Sequence, residues 1–171
     1  MAAIRFECSA DFDQIRELND EAFEGPAEGM IVDTLRVSDP NAFSMVAVED
    51  EMVVGHIFFS TIKVESPNGI VTGMGLAPLA VHADYRHQGI GSDLIRSGLR
   101  HIENLNMPFV IVLGHEDYYP RFGFVPASRY DLYCQWPGVP DGAFLVIICD
   151  HLKMKGVSGI ARYRDEFNAA M

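Results

Sequence analysis

Residues Leu76 to Gly98 read LAPLAVHADYRHQGIGSDLIRSG, and this stretch limits the possible folds more than any other. An apolar extended run, Ala77 to Val81, meets a polar turn, His82 to Tyr85, and a glycine-opened helix follows. Ile90, Leu94, Ile95, Leu99, Ile102 and Leu105 recur at the spacing that lines one helical face. Pro78 has no N–H to give a sheet ladder, so the strand is expected to be irregular or edge-like there. A strand feeding a helix through a tight glycine turn implies an α/β chain.

The same junction implies anion binding. The first N–H groups of a helix have no intrahelical acceptor, and that end of the dipole is positive. Gly89 and Gly91 leave the backbone bare to a phosphate, and Arg86 adds a charged donor beside it. Two common phosphate motifs are excluded. A P-loop needs Gly-Lys, a pair absent from the chain. A dinucleotide fingerprint needs a glycine where Leu94 stands.

The fuller string does fit a family. An LAV strand followed by R-x-x-G-x-G, Arg86 to Gly91, resembles motif A of the GCN5-related N-acetyltransferase (GNAT) superfamily. The resemblance implies that Arg86, His87, Gln88, Gly89, Ile90, Gly91 and Ser92 hold the diphosphate of acetyl-CoA. It implies that the backbone of Leu79, Ala80 and Val81 pairs with the pantetheine arm, in a gap where two parallel strands splay apart. The implied fold is a central, twisted, mostly antiparallel mixed sheet of about seven strands with helices on both faces.

A second motif follows the apolar run Phe109 to Leu113. Tyr119 to Phe124, Y-x-x-F-G-F, resembles motif B of the superfamily, and the match places the general acid on Tyr119, with Tyr118 the neighbour that a one-residue slip selects. The chemistry needs such a group, because amine attack on a thioester releases a thiolate and a positioned O–H can protonate the departing sulfur. An ordinary phenol, with a pKa of about 10, is protonated at neutral pH. Asp117 is expected to cap the short helix here and Gly123 to stop it.

Two departures from the family pattern stand out. Many relatives carry a glutamate on the strand before motif A, whereas Gly73 to Val81 holds no acidic residue. His82, His115, Glu116, Asp117 or a chain of waters are the alternatives for the base. Gly114-His115 also stands where relatives often have an asparagine.

With 171 residues, 49% of them hydrophobic, the chain suits one domain with a substantial core, residues 1–171. A net charge of −11 argues against nucleic acid as partner. Cys8, Cys134 and Cys149 form no disulfide framework and no zinc pattern, and the six histidines do not cluster as metal ligands; each is read as a surface or capping residue. No apolar run reaches the ~20 residues that span a bilayer, and a cytoplasmic protein is expected.

The remaining elements follow in order. Ala3 to Cys8 should be a strand, and Ser9 should cap a helix carrying Ile15, Leu18 and Phe23. A second helix carries Met30, Ile31, Thr34, Leu35 and Val37. Asp20, Glu21 and Phe23 are candidate acceptor contacts by the resemblance. Met45–Val48, Met52–Val64 and Ile70–Val81 should form a meander, with Ser66-Pro67-Asn68-Gly69 as one of its turns. Tyr130–Trp136 and Gly142–Asp150 should close the sheet as a hairpin. PDGAFLVI and GVSGIARYRDEF resemble a bacterial YhbS-like branch of predicted acetyltransferases, which extends the likeness over nearly the whole chain. The function implied is direct transfer of an acetyl group from acetyl-CoA, without a metal, to a small-molecule or peptide amine by a monomer or homodimer. The alternative is an acyl-CoA-binding regulatory module that has lost catalysis.

Overall fold

Two tight turns organise the front of the sheet. Asp50 and Glu51 both adopt left-handed backbone (φ 49° and 64°), as a two-residue hairpin of the twisted kind requires. They join β2 (Phe43–Glu49) to β3 (Met52–Ser66), and Pro67-Asn68 joins β3 to β4 (Gly69–Val81). In the computed structural model, which describes residues 1–171, these strands belong to a nine-stranded mixed sheet. Seven strands follow one path, β1-β2-β3-β4-β5-β8-β6, with β1 at Ala3–Phe6, β5 at Phe109–Leu113, β6 at Val125–Pro126 and β8 at Phe144–Ile148. β7 (Leu132–Cys134) and β9 (Gly159–Arg162) lie off that path.

The chain divides into two compact units. The first holds residues 1–60, 77–100 and 165–171. Its helices are α1 (Phe12–Ala22), α2 (Ala27–Ser38) and most of α3 (Ile90–Asn104). β3 is buried without alternation from Val53 to Thr61, the pattern of a strand covered on both faces. Adjacent residues show why. A side chain at Gly55 would meet Ile90 and Leu94 of α3, whereas His56 turns the other way, to Asn19 of α1. An extra residue, Val54, bulges β3 where the pairing passes from Ala47–Gly55 to Val48–Val53.

Gly98 lets α3 lie close to the sheet, because the ring of fully buried Phe59 occupies the space a Cβ would take. Gly98→Val is therefore expected to lower unfolding free energy by about 2 kcal/mol through overpacking, read as a reduced midpoint in urea at unchanged slope.

The second unit holds residues 61–76 and 101–164. β5 is its axis, parallel to β4 over Met74–Leu76 and antiparallel to β8 along its whole length. The expected closing hairpin is not formed. β8 pairs with β5 and β6, while β7 pairs in parallel with β9, a strand absent from the sequence reading. Phe144 to Ile148 is apolar enough to sit between two neighbours. The short, partly exposed β7 instead takes its partner from the tail.

Several local expectations also change. Ser9 opens a three-residue 3-10 turn and α1 begins at Phe12; the capping acceptor is the Asp11 carboxylate, which takes the Cys8 N–H at 2.8 Å. Arg5 donates twice to that carboxylate and holds it down at about 2. Met30 and Val37 face solvent, and Gly29, Ile31, Val32 and Leu35 form the buried stripe of α2. Leu105 lies beyond the end of α3 and is exposed.

Candidate active site

The residues singled out from the sequence lie in two places, one in each unit. In the first unit β4 ends at Val81, and His82 starts a 3-10 turn by accepting the Asp84 N–H on its own Nδ1 at 3.2 Å. The His82 N–H in turn reaches the Val54 carbonyl at 2.8 Å, which fixes the turn to β3. Arg86 Nε donates to the Val81 carbonyl at 3.2 Å, so the guanidinium folds back over the strand end. His87 and Gly89 then take left-handed backbone, with φ of 62° and 85°. No atom lies within 4 Å of where a Gly89 Cβ would stand.

α3 starts directly after that open glycine. Its first helical bond runs from the Asp93 N–H to the Gly89 carbonyl at 3.0 Å. The amides of Ile90 and Gly91 therefore precede the first intrahelical donor, at the positive end of a 15-residue helix. Arg86, His87, Gln88 and Gly89 are exposed, and Ile90 is buried against Gly55 as the anchor of the turn. Leu79, Ala80 and Val81 form the last extended residues of β4, just beyond a cis Ala77–Pro78 bond. An open glycine turn at the head of a helix is an arrangement that suits an anion.

The second place is the end of β5. Tyr119 is 8% exposed at the head of a 3-10 turn, Tyr119–Phe122. Gly123 closes the turn with φ of 101°, as expected, but Tyr118 rather than Asp117 occupies the cap position. The ring of Tyr119 fills the space that a side chain at Gly114 would need. A larger residue at Gly114 would collide with this ring. Edge-on contacts with Tyr118 at 5.2 Å and Phe124 at 5.7 Å hold the ring. Burial first, and the neighbouring Tyr118 second, push the Tyr119 phenol well above the ordinary range, so it keeps its proton.

The candidate bases differ in setting. His115, Glu116 and Asp117 are exposed, with Glu116 packed over Gly142. His82 serves its own turn. Asp20 is bound by Arg16 at 3.1 Å, and Phe23 lies just past α1 with 39% of its surface exposed.

One polar group was misread from the sequence. His56 is fully buried, not a surface residue. Its Nδ1 faces the Asn19 amide nitrogen at 3.1 Å and its Nε2 faces Ser44 Oγ at 2.8 Å. An amide nitrogen only donates, so the geometry assigns the neutral ring with hydrogen on Nε2. Burial, with a smaller contribution from the Arg36 charge, lowers its pKa to about 3. The near-continuous apolar run around His56 is the sequence signal for its burial.

Residues 3–127 match the family model described as "Acetyltransferase (GNAT) domain". The chain is 36% identical over 166 residues to the uncharacterized N-acetyltransferase YhbS of Escherichia coli K12, covering 96% of this chain and 98% of that one. The crystal structure of E. coli YhbS in complex with CoA superposes with a TM-score of 0.88 at 35% identity, covering 98% of this chain and 92% of the other. A GNAT family acetyltransferase from Brucella melitensis in complex with acetyl-CoA gives 0.79 at 29% identity, with 98% of each chain covered. The chain belongs to the GNAT acetyltransferase family. No helix is long and apolar enough to cross a membrane.

Proposed function

We propose that this chain, working as one N-acetyltransferase domain, moves an acetyl group from acetyl-CoA directly to a primary amine of a small molecule or peptide. The observation that carries the reading is the open left-handed Gly89 turn at the head of α3, with Arg86 folded beside it. That cradle suits a diphosphate, and the CoA and acetyl-CoA complexes of the two similar structures support the choice of donor. In this reading the amides of Gly89 to Ser92 and the Arg86 guanidinium bind the diphosphate. The backbone of Leu79 to Val81 orients the pantetheine arm.

The neutral amine attacks the thioester carbon, the C–S bond breaks, and Tyr119 gives its proton to the leaving sulfur. The amine loses its own proton to water or to one of the exposed groups near Tyr119. A second reading, an acyl-CoA-binding module without turnover, is favoured only by the missing carboxylate on Gly73 to Val81.

Arg86→Ala is expected to weaken acetyl-CoA binding about tenfold, read by calorimetry, since charge-assisted bonds to phosphate carry that much energy. Thiol release from acetyl-CoA with a panel of amines separates the readings. Turnover supports transfer; tight binding with no turnover on any amine selects the inactive module.

A further inference from the structure

One face of α1 lines a cavity. Gln14, Glu17, Leu18 and Glu21 recur at the spacing of a single helical stripe, and all four border it. Met52 and Val53 of β3 and His82, the residue after β4, complete the lining. Every one of these residues belongs to the first unit. The cavity holds about 150 Å³ and opens to solvent, room for a small ligand on an apolar floor of Leu18, Met52 and Val53.

The polar groups of the lining differ in what they can offer. The Val53 N–H is taken by Gln14 Oε1 at 2.8 Å. His82 accepts the Asp84 N–H on Nδ1, so its neutral ring carries hydrogen on Nε2 and donates there. Glu17 and Glu21 supply the charge. They stand one helical turn apart, where like charges repel. The other carboxylates around this helix are matched: Asp11 by Arg5, Asp20 by Arg16, Asp33 by both Arg16 and Arg36. No cation of the protein forms an ion pair with Glu17 or Glu21.

The backbone ties this cavity to the end of β4. Val53, on its floor, is held to α1 through Gln14, and the carbonyl of the next residue, Val54, accepts the His82 N–H at 2.8 Å. Two adjacent residues at the β3 bulge thus fix both the helix wall and the strand end. That strand end, Leu79 to Val81, is where the transferase reading lays the pantetheine arm.

We propose that this cavity holds a second positive charge of the acceptor, and that the preferred acceptors are small diamines and other amines carrying a second ammonium group. The inference rests on the transferase reading above and names its acceptor class. An ammonium donates to both carboxylates and relieves their repulsion. The carbon chain lies on Leu18, Met52 and Val53, and the far amine, neutral, is free to attack. An acceptor whose second group is a carboxylate is repelled.

The test measures thiol release from acetyl-CoA by the full-length protein with 1,4-diaminobutane, butylamine and 4-aminobutanoate, acceptors of one chain length. Their kcat/KM values should fall in that order, the diamine leading butylamine about five- to tenfold at low salt, the scale of two partly solvated ion pairs. Glu17→Gln combined with Glu21→Gln should erase that lead, chiefly through KM. Glu24→Gln, an exposed carboxylate outside the cavity, should preserve it. Calorimetry of 1,4-diaminobutane against the CoA-loaded protein reads the same subsite without turnover, and the double variant should bind about five- to tenfold more weakly.

Equal kcat/KM for diamine and butylamine overturns the proposal, as does a lead that survives the double variant. An equal loss in Glu24→Gln also overturns it, by assigning the preference to overall charge. Diamine binding that depends on Glu17 and Glu21, with no turnover of any amine, retains the subsite and overturns the transferase reading instead.

Discussion

Tyr119→Phe is expected to lower kcat about 100-fold while leaving the KM for acetyl-CoA within about twofold of wild type, the size of effect general acids supply. The substitution removes only the hydroxyl. The ring remains packed over Gly114 and against Tyr118 and Phe124, so the fold of the turn is retained. Because burial raises the phenol above the ordinary tyrosine range, ionisation of Tyr119 should impose no alkaline fall in rate below about pH 10. Steady-state kinetics across pH 6 to about 10 checks both points. A phenylalanine variant with wild-type kcat would remove Tyr119 from the mechanism.

His56 carries the largest expected effect on stability. His56→Ala opens a cavity in the middle of β3 and strips Asn19 and Ser44 of a buried partner, for a combined loss of about 3–5 kcal/mol. The same histidine makes the fold acid-sensitive, and the direction follows from its two pKa values. Unfolded, the ring takes a proton near 6.5; folded, it resists until about 3. Between those values the unfolded state binds more protons, so stability is full above about pH 6.5 and falls as pH drops toward 3. The slope is about 1.4 kcal/mol per pH unit.

Asp11, held at about 2 by Arg5, adds a further loss below the ordinary carboxylate range. Urea midpoints of wild type between pH 7 and 4.5 should show the decline. A His56→Gln variant, less stable throughout, should show a flat profile over that window. Parallel profiles would assign the acid sensitivity to other groups.

Much of the chemistry was readable one residue at a time, because it is local. The glycine turn before α3 needs only Gly89, Gly91 and a helix start, and such a turn depends on backbone freedom within a few residues. The hairpins at Asp50-Glu51 and Pro67-Asn68 were legible for the same reason. Long-range pairings were not. Nothing in Leu132 to Cys134 states that its partner is Gly159 to Arg162 rather than the apolar strand close by. That choice depends on which strands have already filled both edges of Phe144 to Ile148.

The partners of buried groups were hidden in the same way. The apolar run around His56 signals its burial, but its partners Asn19 and Ser44 come from other elements, and Tyr163, whose ring covers Gly75 of β4, has no motif around it. The chain's own order of residues therefore determined the meander, the glycine-opened helix and the tyrosine turn, each set by backbone conformations that neighbouring residues permit. Tertiary packing alone decided the β7–β9 pairing, the neutral histidine under α1 and the tyrosine over Gly75. Those depend on burial, and burial is a property of every element that closes over a residue.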